Sequence, residues 1–332
     1  NEIKAFVERG LEDFSISRIK EKMPWGVAIP KGSCEDGDEN KHVMYVWFDA
    51  LTSYISTLDW PERGNFEKFW IQNIEDKDSL STEERSVVQY CGKDNNRQQS
   101  AMWQAMLMAA GIPNSTQIVI NGFVNGIDGQ KMSKSLGNVI NPFEAIEIFK
   151  PYTDYAEEVI RFFVLQLSSF EDASTDMNLM KEIYSSYLAN GTGNQVNRIL
   201  KLSSQYINEE EAKNIIIELE KDKLGDEFEK LLSEYKINEA LSITMNEVKA
   251  LDEYIQSTAP FKLIKKAYNE GKTEIIDQQA LGEAKEIITN CLLRLGHIGH
   301  QLYFFMPRTA YAIYNTIKDN KMPEKPMFNR LN

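Results

Sequence analysis

The change of pattern near residue 150 limits the fold of this chain more than any other feature. From about residue 155 almost to the end, apolar residues recur at helical spacing, whereas the first 150 residues mix short β-like runs with turns. Segments from 154 or 155 to 167, 177–207, 211–233, 237–256 and 277–305 read as helices, punctuated by Pro260 and Pro307. Glu and Lys alternate along their polar faces, as on solvated helix surfaces. In the first half, Val43–Phe48 is a continuous apolar run that predicts a buried parallel strand, and Thr116–Ile120 predicts a second strand. Between them Gln98–Ala110, rich in Met and Ala, reads as a helix stopped by Gly111 and Pro113. Strand, helix, strand predicts a βαβ unit with a right-handed crossover. The expected fold class is α/β followed by all-α.

Size and composition fit this division. A chain of 332 residues has room for about two domains. With 42% hydrophobic and 26% charged residues it is not a disordered chain. No window approaches the ~18 uninterrupted apolar residues of a membrane span. The first residues carry charges throughout, unlike a secretory signal, and the chain opens on Asn1, so a trimmed or partial start is expected. A net charge of −13 argues against indiscriminate nucleic-acid binding but not against a local basic patch. Cys34, Cys91 and Cys291 are scattered with no C-x-x-C pair. That excludes a disulfide framework and a Cys-rich zinc knuckle, and it favours a reducing, cytoplasmic compartment.

Function concentrates in one loop, within a polar, Gly-rich stretch expected from Asn121 to Asn138. Gly129-Gln130-Lys131-Met132-Ser133-Lys134-Ser135-Leu136-Gly137-Asn138 sets two lysines three apart among small hydroxyl residues, after a predicted strand. Ammonium groups on such a loop can follow a polyphosphate as its charge moves, and a loop of this kind can close over ATP and reopen. Taken alone, a K-x-x-K spacing fits any solvated loop. The complete K-M-S-K-S string after a strand resembles the signature of class I aminoacyl-tRNA synthetases.

The resemblance extends over the whole chain and narrows to the methionyl-tRNA synthetases. Gly10–Arg18 (G-L-E-D-F-S-I-S-R) resembles the segment by which that family re-enters its catalytic domain. Pro24–Pro30 resembles the W-G-x-x-x-P turn that follows. Tyr45–Ala50 with Tyr54-Ile55-Ser56 is similar to the family's amino-acid-pocket strand, and Gly92-Lys93-Asp94 to its G-K-D turn. Lys325–Leu331 resembles the tail that closes the minimal enzyme. The resemblance implies the second half of a Rossmann-type catalytic domain joined to a helical anticodon-binding bundle. Its divisions are residues 1–140 with the lysine loop, 141–176 as connecting helices that contact the tRNA stem, and 177–332 as the bundle with its tail.

Residue roles follow from the same resemblance. Trp47, Tyr54 and Trp103 match the aromatics of a methionine pocket, where thioether–ring contacts contribute about 0.3–1.5 kcal/mol each. Ala50 and Asn95 complete that wall. Gln99 stands where many members carry His, and helical spacing puts it on the face of Trp103. Gly92 and Asp94 match contacts with the adenosine ribose, while Asp49 is either the pocket's acidic residue or a structural acceptor. Asn121 replaces the family's usual His before Gly122 and Val124, which match residues under the adenine. Lys131 and Lys134 match the catalytic lysines, with Met132, Ser133 and Ser135 as further ATP contacts. In the helical half, Asn194 and Arg198 match the helix that reads a CAU anticodon and share one face. Phe261 stands where the family usually stacks a Trp on an anticodon base, beside Lys262, Lys265 and Lys266. The substrates and partners implied are ATP with Mg2+, methionine and tRNA(Met).

His297-Ile298-Gly299-His300 spells the other class I signature, H-I-G-H, but lies some 160 residues past the lysine loop inside a helical pattern. It is expected to be an ordinary helix segment. The resemblance therefore implies that the genuine H-I-G-H, the first Rossmann half and an inserted domain that often carries zinc belong to an N-terminal part outside this chain. The 332 residues alone are expected not to activate methionine. Two other functions stay open at this point: another class I synthetase of the leucyl, isoleucyl, valyl or cysteinyl type, and a non-catalytic tRNA-binding remnant.

Overall fold

The computed structural model describes residues 2–33, 39–62, 64–71, 87–127, 129–130, 132, 139–269 and 274–331. The chain divides into two compact units, Asn1–Gly122 and Phe123–Asn332. No helix among the described residues is long and apolar enough to cross a membrane.

The first unit opens with α1 (Glu2–Glu8) and β1 (Ser17–Ile19), which pairs antiparallel with β2 (His42–Met44). The predicted parallel strand Val43–Phe48 is instead antiparallel where it is extended, and it ends early at Met44. The backbone turns at Tyr45 and enters α2 (Val46–Leu51), followed by α3 (Ser53–Ser56). A short apolar run does not distinguish strand from buried helix. Here helical spacing carries Trp47 and Leu51 onto one face, against a core of Ile55, Phe66, Trp70, Trp103, Leu107 and Ile112. The βαβ unit exists with a different first strand. β3 (Val88–Gly92) runs parallel to β4 (Gln117–Asn121), with register Gly92 opposite Asn121. β3 reads V-Q-Y-C-G, too mixed to stand out by alternation. The helix between them starts as a widened π turn at Gln98–Met102 and continues as α4 (Trp103–Ala109).

The second unit begins with β5 (Val124–Gly126), which runs parallel to β6 (Ala173–Thr175). The stretch expected to be loop from Asn121 onward therefore contains a strand. α5 (Pro142–Phe149) and α6 (Ala156–Gln166) lie between the two strands. α7 (Met177–Ile183) passes through a π segment, Tyr184–Thr192, into α8 (Gly193–Tyr206). The expected helix over 211–233 is two: α9 (Glu209–Leu219) and α10 (Asp226–Ser233). The break falls at Lys221-Asp222-Lys223-Leu224-Gly225, where Gly225 is extended and Asp222 turns its carboxylate to two histidines. α11 (Ile237–Thr258), α12 (Pro260–Ala267), α13 (Gln278–Leu302) and α14 (Pro307–Asp319) complete the chain. Both prolines that punctuate the pattern occupy first turns, where their missing N–H costs nothing.

α13 is the hub of this unit and packs against α8, α9, α11, α12 and α14. Gly296 permits one of these crossings, because a Cβ there would stand 2.4 Å from a methyl of Leu219. His297–His300 lies within α13, as expected of a helix segment rather than a nucleotide-binding turn. The C-terminal tail folds back onto the unit. Phe328 is buried, Thr153 Oγ1 donates to the Met327 carbonyl at 2.6 Å, and Tyr184 Oη donates to the Asn329 carbonyl at 2.7 Å. The molecule is thus mostly helical, and the sheets among the described residues are two-stranded.

Candidate functional site

In the first unit, three of the predicted pocket residues are tied together directly. The Gln99 amide Nε2 donates to Tyr54 Oη at 2.7 Å, and the Tyr54 and Trp103 rings lie 6.0 Å apart at 45°. Trp47 packs against the same cluster, half-buried. Gln99 sits on the π turn, where the register of backbone bonds slips by one residue. Its own carbonyl is taken by the side chain of Gln104 at 3.0 Å. Gln104 in turn anchors the loop before β4 through Asn114 and Ser115. Gln99 Oε1 and Trp103 Nε1 are buried without a hydrogen-bond partner. Unpaired buried polar atoms cost about 1–3 kcal/mol each, so this cluster holds an acceptor and a donor that a ligand can satisfy.

Sequence reasoning missed Trp70. Its ring meets Trp103 edge-on at 6.1 Å, and its Nε1–H donates to the Pro113 carbonyl at 2.9 Å. Its only signal is an aromatic in the apolar pair Phe69-Trp70. Ala50 is exposed on α2.

Gly92, Asp94 and Asn95 occupy the C-terminal end of β3 and the 3-10 turn after it, Lys93–Asn95. A Cβ on Gly92 would stand 2.6 Å from Asp94 Oδ1, so only glycine lets that carboxylate fold back over the strand end. Gly122 follows Asn121, the residue opposite Gly92. Both parallel strands therefore end at one edge, the place where open α/β sheets bind ligands. Burial and the Asp94 charge both push the Cys91 thiol up, so it is neutral here.

The remaining residues predicted to contact ATP fall in the second unit, where Val124 starts β5 and pairs with Ala173. The chain then turns at Gly129, whose N–H donates to the Gly126 carbonyl at 2.8 Å with φ at +76°. Met132 is half-buried. Lys131, Ser133, Lys134 and Ser135 lie outside the described residues.

The helical site takes shape at α8, α11 and α12. Asn194 and Arg198 are half-buried on α8, and Phe261, in the first turn of α12, is exposed. Arg198 and Phe261 line one pocket of about 240 Å3 together with Ile255, Pro260 and Cys291. Arg198 Nη1 donates to Asp252 Oδ1 at 2.6 Å, and Gln256 Nε2 donates to the other carboxylate oxygen. Asp252 and Gln256 were not anticipated. Their signal is an i, i+4 spacing on α11, which needs the helix pairing to gain meaning. Burial pushes the Cys291 thiol up to about 11 against the pull of Arg294 and Arg198, so it is neutral in this wall. Among the described residues, no group of three or more His, Cys, Asp or Glu side chains is placed to hold a metal ion.

Comparison with known proteins gives a consistent result. Residues 1–200 match the family model described as tRNA synthetases class I (M). The methionine–tRNA ligase of Fusobacterium nucleatum is 30% identical over 330 residues, covering 97% of this chain and 46% of that protein. The Rickettsia bellii methionine–tRNA ligase is 30% identical over 346 residues, covering the whole chain and 58% of that protein. The chain thus spans about half the length of these relatives. Among solved structures, Mycobacterium tuberculosis methionyl-tRNA synthetase bound by methionyl-adenylate superposes with a TM-score of 0.76. That likeness covers 98% of this chain and 62% of the other at 21% identity, and it is a likeness of fold.

Proposed function

The chain belongs to the methionyl family of class I tRNA synthetases, and from that premise we propose that it forms the second part of the catalytic domain and the anticodon-reading bundle of a methionine–tRNA ligase. Residues 1–140 supply the latter part of a Rossmann-type domain, 141–176 the connection that contacts the tRNA stem, and 177–332 the bundle. The whole protein joins methionine to MgATP, giving methionyl-adenylate and pyrophosphate, and then passes the methionyl group to the 3′ adenosine of tRNA(Met). It works in a reducing, cytoplasmic compartment.

The observation that carries this reading is the Tyr54–Gln99–Trp103 contact, with its aromatic faces and two unsatisfied buried polar atoms. Aromatic faces suit a thioether, and Gln99 holds Tyr54 in place through its amide. Trp47, Ala50 and Asn95 complete the methionine site. Gly92, Asp94, Gly122 and Val124 hold the adenosine, and Met132, Ser133 and Ser135 line the phosphate path. Lys131 and Lys134 place positive charge where the leaving pyrophosphate gains negative charge. Asn194, Arg198 and Phe261 read the anticodon loop, Arg198 through guanidinium donors left over from its pairing with Asp252.

The test is methionine-dependent ATP–pyrophosphate exchange by the whole protein that contains this chain, with leucine and homocysteine as controls. Exchange should depend on methionine, and Lys134→Ala should lower kcat about 10²–10³-fold, the loss typical of one transition-state donor. Exchange driven by leucine would move the protein to another class I specificity. No exchange with any amino acid would leave a tRNA-binding remnant.

A further inference from the structure

The π turn at Gln98–Met102 changes which backbone groups meet. In a regular α-helix the Gln99 carbonyl would accept from the Trp103 N–H. Here the Trp103 N–H donates to the Gln98 carbonyl instead. The Gln99 carbonyl accepts from the side chain of Gln104, whose Nε2 lies 3.0 Å away. One residue of helix rotates a side chain by about 100°, so this turn decides which way Gln99 faces. With the turn in place, the Gln99 amide reaches Tyr54 Oη at 2.7 Å.

The Gln104 amide is itself fixed at both ends. Its Nε2 also donates to Ser115 Oγ at 3.2 Å. Its Oε1 accepts from the Ser115 N–H at 3.1 Å and from Asn114 Nδ2 at 3.0 Å. A backbone carbonyl can only accept and a backbone N–H can only donate, so the reversed amide would set oxygen against oxygen and N–H against N–H. Ser115 Oγ donates in turn to Oε1 of Gln89, a residue of β3 that is 4% exposed. The bonds thus run from β3 through Ser115 and Gln104 to Gln99, and from there to Tyr54 on α3.

We propose that Gln104 is a positioning residue for the amino-acid site: its amide nitrogen holds the Gln99 carbonyl in the π turn, and so holds the Gln99 side chain against Tyr54. The amide oxygen has a separate task, which is to tie down the loop before β4. Gln104 acts through Gln99. The proposal rests on the methionine-site role given to Tyr54, Gln99 and Trp103 above.

Gln104→Glu separates the two tasks, because a carboxylate still accepts from Ser115 and Asn114 but donates nothing to the Gln99 carbonyl. The experiment is ATP–pyrophosphate exchange by the whole protein that contains this chain. Gln104→Glu should raise KM for methionine about tenfold, the worth of a good hydrogen bond, with kcat and KM for ATP little changed. Gln104→Met, which removes both ends of the amide without adding charge, should do the same. Asn114→Ala, at an exposed loop position, should leave KM for methionine unchanged. In a Gln99→Met background, where the side chain cannot donate to Tyr54, Gln104→Glu should add no further loss. Four results would overturn the positioning role and leave the methionine site standing: an unchanged KM for methionine in both Gln104 variants, a parallel rise for methionine and ATP, an equal rise in Asn114→Ala, or losses that add in the Gln99→Met background. Absence of methionine-dependent exchange by the unaltered protein would overturn the site itself, and this role with it.

Discussion

His297 joins three parts of the bundle through one ring. Its Nδ1 meets Asp222 at 2.8 Å, in the connection between α9 and α10, and its Nε2 meets Glu247 of α11 at 3.4 Å. Both nitrogens can donate only in the imidazolium form. The bond to Glu247, and then that to Asp222, push its pKa up to about 9 against the opposing effect of burial. A folded pKa above the ordinary value of about 6.5 means that this stabilisation is complete below pH 6.5 and is lost as pH rises through 9. Denaturant unfolding at pH 6, 7.5 and 9.5 should show His297→Gln costing about 2 kcal/mol at pH 6 and almost nothing at pH 9.5. A cost that does not change with pH would mean that the ring acts by packing alone.

Tyr54 offers a second test at this scale. Tyr54→Phe removes the acceptor for a buried Gln99 amide, so it should destabilise the chain by about 1–3 kcal/mol in thermal or denaturant unfolding. Pairing it with Gln99→Leu should recover part of that loss, because neither partner is then left unsatisfied. The relation of Gln99 to Trp103 is readable in sequence, since four residues separate them on a helix. The tie to Tyr54 is not readable, because it joins elements 45 positions apart.

Among the elements, α14 depends on a residue from another helix. Its first turn has no side-chain cap of its own. Glu158 of α6, 5% exposed, accepts instead from the N–H of Arg308 at 2.6 Å, and from the N–H and Oγ1 of Thr309 at 2.8 and 2.7 Å. A carboxylate at a helix N-terminus gains from both the free N–H groups and the helix dipole. Glu158→Ala should therefore lower stability by about 2–4 kcal/mol in denaturant unfolding, and Glu158→Gln, which keeps one acceptor, by less. The elements legible in sequence were the long ones, α6, α11 and α13, where the helical period repeats for several turns. α9 and α10 read as one helix because the polar break at 221–225 matches a solvated helix face in composition. Val43–Phe48 read as strand because six apolar residues fit either form, and only contact with Leu51, Ile55 and Trp103 selects the helix.

At the scale of the whole molecule, the second unit closes on its own tail. The Asn329 N–H donates to the Tyr152 carbonyl at 2.8 Å, Lys325 pairs with Asp154 at 2.7 Å, and the Phe328 ring packs against Tyr155 and Tyr184. A Cβ on Gly193 would come within 3.3 Å of Phe328, so α8 begins with a glycine where the tail crosses it. Phe328→Ala should cost about 3–5 kcal/mol of the stability of this unit, read by calorimetry. The resemblance of Lys325–Leu331 to a closing tail was legible, but its place against α6 and α8 depends on contacts more than 130 residues apart.

The claim that joins these scales is that the helical unit reads the anticodon of a methionine tRNA. Its direct test is the affinity of the 332-residue chain for tRNA(Met), compared with the same tRNA carrying a changed anticodon, at one fixed salt concentration. The account predicts binding at least about tenfold tighter to the CAU tRNA, with the preference abolished by Arg198→Ala. Equal binding of the two tRNAs would contradict it.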